Sequence, residues 1–301
     1  MKKNIFILFL LTISLNFDIH SQQDWDLGIR LGASNYLGDI GGKDKTRRDF
    51  ILDMKLRQTS LVGGAFLRYK LDKRWSLNAQ INYGRIRGDD AFSTNEGRMW
   101  RNLRFKNNII ELSGRGEYYF YTDADFGNTG KYNTELKAFF HAGFTGFYHN
   151  PKGSLNGSTW TALRPLQTEG VKYSRIGFGI PLGLGLVFTV KRDHRIGLDF
   201  SWSTTFTDYL DDISTAYYDP VNMSSNAANL ANQSIAPEEQ IYNYMPGEKR
   251  GDPTHNDTYM FTTLTYSYYL HERNKVFNSK RRQLRARSNR RTGRRVIKSK
   301  F

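Results

Sequence analysis

Residues 176–188 read IGFGIPLGLGLVF. The even positions, Ile176, Phe178, Ile180, Leu182, Leu184, Leu186 and Phe188, are all large and apolar. Their odd partners are Gly177, Gly179, Pro181, Gly183, Gly185 and Val187. A period of two with unlike faces is the signature of a β-strand, because successive side chains point to opposite sides of the pleat. Residues 75–84 repeat the pattern, with Trp75, Leu77, Ala79, Ile81 and Tyr83 set against Ser76, Asn78, Gln80, Asn82 and Gly84. Working outward, eight such stretches emerge, near 25–35, 59–71, 74–86, 107–121, 135–149, 173–190, 194–206 and 257–270. Several exceed the roughly 5–6 residues of an ordinary soluble strand. Long strands, an even count and one apolar face suit a membrane barrel, whose closure satisfies every backbone group in lipid. The expected fold is therefore all-β: an eight-stranded antiparallel transmembrane β-barrel with long extracellular loops, short periplasmic turns and a disordered basic C-terminal tail.

The two faces support this reading. Aromatics near strand ends (Tyr69, Trp75, Tyr83, Tyr118, Phe120, Tyr148, Trp202, Tyr259, Tyr266 and Tyr268) are expected to form two interfacial girdles. The opposite face carries Arg30, Arg68, Lys70, Glu111, Arg115, Glu117, His141 and Asp199. Inside a narrow barrel these charges must pair with one another, since an isolated buried charge is costly. Side chains then fill the lumen and leave no pore. The alternative, a soluble sandwich or lipocalin-like barrel, would turn the apolar face inward and leave those charges in water.

Met1-Lys2-Lys3 precedes an apolar run from Ile5 to Leu15, and polar or small residues follow to Gln22. That is the layout of a secretory signal peptide, and the run is shorter than the roughly 20 residues of a spanning helix. Cleavage is expected after Ser21, so that 1–21 is the signal, 22–270 the barrel and 271–301 the tail. The absence of cysteine excludes disulfides, thiolate metal sites, a cysteine nucleophile and a lipid anchor on cysteine.

The formal charge is +15, but it is unevenly spread. From His271 onward there are thirteen Lys or Arg and one acid, Glu272, so +12 belongs to the last 31 residues. The candidate partner-binding residues there are Lys280, Arg281, Arg282, Arg285, Arg287, Arg290, Arg291, Arg294 and Arg295. Their mixture of Arg with small polar residues predicts an extended segment that orders on binding. Three roles fit it: a solvated appendage, a contact to lipid A phosphates, or docking on an acidic protein face. A secreted compartment excludes nucleic acid.

A signal peptide starts the first strand in the periplasm, so odd connections lie outside. These are long (36–58, 87–106, 150–172 and 207–256), whereas the even ones (71–74, 122–134 and 191–193) are shorter, as in outer-membrane barrels. An even strand count also returns the tail to the periplasm.

The phrase TDYLDDIS, residues 207–214, opens the longest outer loop, and Asn35-Tyr36-Leu37-Gly38-Asp39 reaches the same end. Candidate extracellular rim residues are Asn35, Tyr36, Asp39, Asp208, Tyr209, Asp211 and Asp212. Structural capping, a bound cation and catalysis are the readings considered. Calcium would need about 6–8 oxygen ligands, and the spacing is not that of a calcium-binding helix-loop-helix. An outer-membrane lipid hydrolase would need a His beside a Ser. His149 points inward with Tyr148 outside, His141 reads as an interior residue, and no serine is placed beside either. No catalytic, metal or cofactor site is expected.

Three phrases together, GASNYLGDIGG (32–42), FTDYLDDISTAYYDP (206–220) and HNDTYMFTTLTYSYYL (255–270), resemble the PorG-like outer-membrane β-barrels of the Bacteroidetes type IX secretion system. The resemblance covers about Trp25 to Leu270 and does not include the basic tail. It implies a non-enzymatic part of a protein export machine, in contact with outer-membrane lipids. It also implies association on the periplasmic side with a ring made of a lipoprotein (PorK or GldK type) and its partner subunit (PorN or GldN type). In gliding relatives the machine supports motility. The alternative is a free-standing structural or adhesin barrel acting through its outer loops.

Overall fold

The computed structural model describes residues 24–41, 56–127 and 134–270. The expected signal peptide and the basic tail lie outside the described residues. All eight expected strands are present: β1 (Asp24–Leu37), β2 (Ser60–Lys70), β3 (Trp75–Asp89), β4 (Arg104–Asp123), β5 (Thr134–Tyr148), β6 (Ile176–Val190), β7 (His194–Thr205) and β8 (Thr258–Leu270). Each pairs antiparallel with its sequence neighbours, and β8 pairs with β1, for example Trp25 with Leu270 and Leu37 with Thr258. The sheet is thus a closed barrel. A two-residue hairpin (Lys152–Gly153 with Thr161–Ala162) extends β4 at the long-loop end. Among the described residues no helix is long and apolar enough to cross a membrane.

The faces follow from parity. In β3 every odd residue from Trp75 to Arg87 is exposed and every even residue from Ser76 to Gly88 is buried. Leu77, Ile81, Leu182, Leu184, Leu186 and Leu198 all face outward, each about half exposed. An outward band of leucine, isoleucine and phenylalanine around a polar lumen is the pattern of a barrel solvated by lipid. The glycines opposite Leu184 and Leu186 also have a packing role. A Cβ added at Gly185 would lie 2.2 Å from the Phe139 ring, and one at Gly177 2.4 Å from Phe147. The inward glycines of β6 therefore give space to the inward aromatics of β5. Between Ala142/Leu182 and Thr145/Gly179 the β5–β6 ladder is interrupted, where Pro181 has no N–H to donate.

Side chains fill the lumen in stacked polar layers. Midway, the Asp199 carboxylate accepts from Arg30 at 3.0 Å and from Arg115 at 3.1 and 3.3 Å, with His141 beside it. Arg30 also donates to Thr263 and Gln80. Toward the short turns, Arg68 donates two bonds to Glu117 (2.6 and 3.1 Å), which also accepts from Asn78 and Tyr119. Asp26 there joins Arg68 and Arg195. Toward the long loops, Glu111 accepts from Asn82 and from the Tyr259 hydroxyl. Lys70, at the end of β2, is only half-buried.

Tyr259 corrects the girdle expectation. It is wholly buried inside the barrel and is not at the lipid interface. It lies seven residues before Tyr266, an odd separation, so the period of two puts it on the opposite face from the outward Tyr266 and Tyr268.

The membrane orientation of the apolar face has a direct test. Leu184 lies near the middle of β6 and faces out. Leu184→Arg should lower folding stability in lipid vesicles by about 2–4 kcal/mol, the cost of a cation at the midplane, as read from urea unfolding. An unchanged midpoint would mean that water, not lipid, covers this face.

Candidate functional site

The long-loop end is closed by the chain itself. After β7 the segment Thr207–Ser214 dips into the mouth of the barrel instead of standing on its rim. Leu210 and Ile213, three residues apart, join Tyr36, Ile40, Phe105 and Ile109 in a buried hydrophobic cluster. Asp212 takes φ +74° to complete the turn, a left-handed conformation that aspartate tolerates better than most residues.

Burial of this acidic stretch is compensated by hydrogen bonds. Asp257, just before β8, accepts from the Tyr36 hydroxyl at 2.6 Å and from the Leu210 N–H at 2.9 Å. Asp211 accepts from the N–H groups of Ile40 (3.2 Å) and Ile213 (3.0 Å). Asp212 accepts from the Tyr173 hydroxyl at 2.5 Å and from Thr168. Asp39 accepts from the Asp252 N–H at 2.9 Å. Asn107 of β4 donates to the Leu210 carbonyl at 2.7 Å.

Two buried arginines tie the four loops together. Arg101 closes the short helix α1 (Glu96–Arg101) and donates to Asp90 at 2.8 and 3.1 Å. It also reaches the carbonyls of Asp39 (2.7 Å) and Arg250 (2.6 Å). Arg250 donates to Glu169 at 2.9 Å and to the Asp212 carbonyl at 2.8 Å. Glu169 in turn accepts from the N–H groups of Ser214 and Thr215. Each of the four loops contributes to this cap.

Of the residues singled out in the sequence, Tyr36, Asp39, Asp211 and Asp212 meet in the cap, and Asp208 is buried beside them. Tyr209 stacks on Tyr173 with ring centroids 4.7 Å apart. Asn35 lies apart and accepts from Thr59 at 2.8 Å. The expectation of a rim position is corrected: these groups lie inside the mouth, because Leu210 and Ile213 draw the segment inward. The main residues missed were Asp90, Arg101, Glu169, Tyr173, Arg250 and Asp257. Asp257 sat within the quoted HNDTY phrase, but the two arginines carry no local signal.

The cap carboxylates spend their oxygens on hydroxyls and N–H groups of the chain. Among the described residues no cluster of three His, Cys, Asp or Glu could hold a metal. His149 is buried, stacks against Tyr173 and bonds the backbone of Ser174; His141 faces Arg115 and Asp199. The arrangement provides closure and rigidity.

Burial raises the pKa of Asp212 to about 6, although the Arg250 guanidinium opposes the shift. Asp211 and Asp257 are also raised, first by burial, then by the charge of Asp39 on Asp211 and of Asp211 on Asp257.

The family described as "Domain of unknown function (DUF6089)" matches residues 2–233. No curated protein matches the chain in sequence. Among solved structures, OprG of Pseudomonas aeruginosa aligns at 11% identity over 85% of this chain and 100% of that one, with a TM-score of 0.38. The attachment invasion locus protein Ail of Yersinia pestis aligns at 10% over 83% and 100%, TM-score 0.37. Neisserial surface protein A aligns at 9% over 81% and 96%, TM-score 0.36. Scores at this level add no argument to the barrel, which rests on its own strand pairing.

Two outcomes follow from the cap. Arg250→Ala strands Glu169 in a buried site, and removing one partner of such a pair costs about 3–5 kcal/mol. Limited proteolysis should then cut within 206–257, and the unfolding midpoint should fall. The pH dependence has a definite sign. A carboxyl raised in the folded state holds protons that the unfolded chain releases. Its stabilisation is complete below the unfolded value near 4 and is lost as pH rises through about 6 at Asp212. Amides of residues 210–215 should therefore be better protected at pH 5 than at pH 8 after correction for intrinsic exchange rates. Equal protection would remove the assignment.

Proposed function

The chain belongs to the DUF6089 family, and we propose that it is a non-enzymatic outer-membrane component of a type IX protein secretion system. In this reading it contacts the periplasmic ring, formed by a lipoprotein of PorK or GldK type and a partner of PorN or GldN type. It thereby supports protein export and, in gliding cells, motility. The sequence phrases at 32–42, 206–220 and 255–270 carry the resemblance to PorG-like barrels.

The observation that carries the physical side of the reading is the pairing of Leu270 with Trp25 at the short-turn end. The segment with +12 follows directly after Leu270 in the chain, and Leu270 ends β8 at the same end of the barrel as the turns at 71–74 and 191–193. A lumen filled by ion pairs and a mouth closed by loops suit an anchor and are poor for conduction. The basic tail is then a periplasmic docking arm for an acidic face of the ring.

A second reading, a structural or adhesin barrel acting through its outer loops, is favoured by the ordered cap. Co-purification separates the two, since a free-standing barrel brings down no ring lipoprotein.

Truncation after Asn274 tests the arm, because it leaves all eight described strands intact. The barrel should stay folded and heat-stable. Ring co-purification should weaken and lose most of its salt dependence, since charges are screened over about 8 Å at physiological salt and steering mainly speeds association. The periplasmic turns retain some contact, so partial binding is compatible. Identical salt curves for full-length and truncated proteins would mean that the tail is not a docking arm, leaving lipid A phosphates as its partner.

A further inference from the structure

The outward face of β3 changes character abruptly. Trp75, Leu77, Ala79, Ile81 and Tyr83 are followed on the same face by Arg85 and Arg87. Arg85 lies two residues past Tyr83, about 7 Å along the strand. On the adjoining strand β4 the outward residues change at the same level, from Leu112 and Ile110 to Asn108, Lys106 and Arg104. Arg85 stands opposite Asn108, and Arg87 opposite Lys106. Arg57 and Trp160 from the loops complete a groove of about 300 Å³ with these four cations.

None of the five cations forms an ion pair among the described residues. Arg85 donates to Asn108 at 2.9 Å, and Arg87 donates to the carbonyls of Arg57 and Thr59. The Lys106 ammonium lies 4.2 Å from the centre of the Trp160 ring. Arg104 Nε is buried without a hydrogen-bond partner. Among the described residues that line the groove the one acid is Asp89, which accepts from the Ala91 N–H, so five cations face one carboxylate. Among the described residues the cluster thus carries a surplus of positive charge.

A second groove, of about 390 Å³, shares Arg85 and Arg87 and continues toward the membrane band over Leu31, Leu61, Gly63 and Tyr83. Basic above and apolar below, on a lipid-facing surface, is the complement of a phosphorylated lipid with its acyl chain.

We propose that this face binds a phosphorylated glycolipid of the outer leaflet, with phosphate over Arg57, Arg85, Arg87, Arg104 and Lys106 and an acyl chain between Leu31, Leu61 and Tyr83. Arginine and lysine favour phosphate through charge-assisted hydrogen bonds, and aromatic or aliphatic residues beneath them cover the lipid stem. The assignment rests on the long loops facing outward and is independent of the secretion role. Gly63 offers a separate handle on the acyl groove. A Cβ added there would meet Leu31 at 3.6 Å, an ordinary contact, so a larger side chain fills the groove without disturbing the strand.

Native mass spectrometry of the full-length protein in detergent, titrated with diphosphoryl lipid A, provides the test. Arg85→Ala/Lys106→Ala should weaken binding at least about tenfold, the loss of one or two charged contacts. Lys73→Ala/Arg74→Ala, which removes equal charge at the short-turn end, should leave binding unchanged. Dephosphorylated lipid A should bind the unmodified protein at least about tenfold more weakly, and Gly63→Leu should also reduce binding. Heat-modified migration on gels verifies that each variant is folded. Equal losses in the two double variants would reduce the groove to general charge attraction and overturn the site. Unchanged binding on dephosphorylation or in Gly63→Leu would overturn the phosphate or acyl assignment. Displacement by excess inorganic phosphate would make it a free-anion site instead.

Discussion

Asp199 accepts hydrogen bonds from Arg30 and Arg115 at the centre of the barrel, and much of the structure depends on interactions of this kind. A barrel in lipid must close on itself, because hydrocarbon offers no partner to a free backbone N–H or carbonyl. Closure with eight strands leaves a lumen wide enough only for side chains. Those side chains are polar, since the apolar faces are directed to lipid. Charges inside a narrow polar lumen must then neutralise one another, as Arg68 does with Glu117 and Arg30 and Arg115 do with Asp199. The ion pairs follow from the membrane rather than from any demand of chemistry.

The cap solves a related problem with different means. Loops at the barrel mouth bring backbone groups and carboxylates out of water, and each needs a partner. The chain meets this with two arginines that reach two carbonyls each and with tyrosines that donate to aspartates. More acid than base is buried there, so some carboxyls are stabilised in their protonated form. Rigidity of the long-loop end thereby becomes coupled to pH, while the ion-paired lumen beneath it has nearly matched charges.

The two ends and the outer wall divide the remaining work. A closed mouth and a filled lumen leave surfaces as the places of contact: the short-turn end, from which the chain continues into its basic segment, and the basic groove above the lipid band. An anchor in a secretion machine needs both a grip on the membrane and a grip on its partner. Under the proposed anchoring role, the basic groove and the basic segment are the candidates for each.

Strand existence, strand number and facing were legible in the sequence because all three rest on a period of two, which is local. The glycine run of β6 and the alternation of β3 needed no partner to be read. Tyr259 shows that the same rule was available where residue type misled: parity with Tyr266 placed it inside, although aromatics favour girdles. What the sequence could not determine was which charge meets which. Arg115 and Asp199 are 84 positions apart, and Arg250 and Glu169 are 81 apart. Such partners are selected by barrel register and loop packing. Likewise the inward dive of TDYLDDIS depends on an apolar hollow built from β1, β3, β4 and the first loop. The sequence by itself determined a closed, lipid-facing barrel with a basic appendix; only the tertiary structure decided that its mouth is sealed, because sealing is a property of contacts between loops distant along the chain.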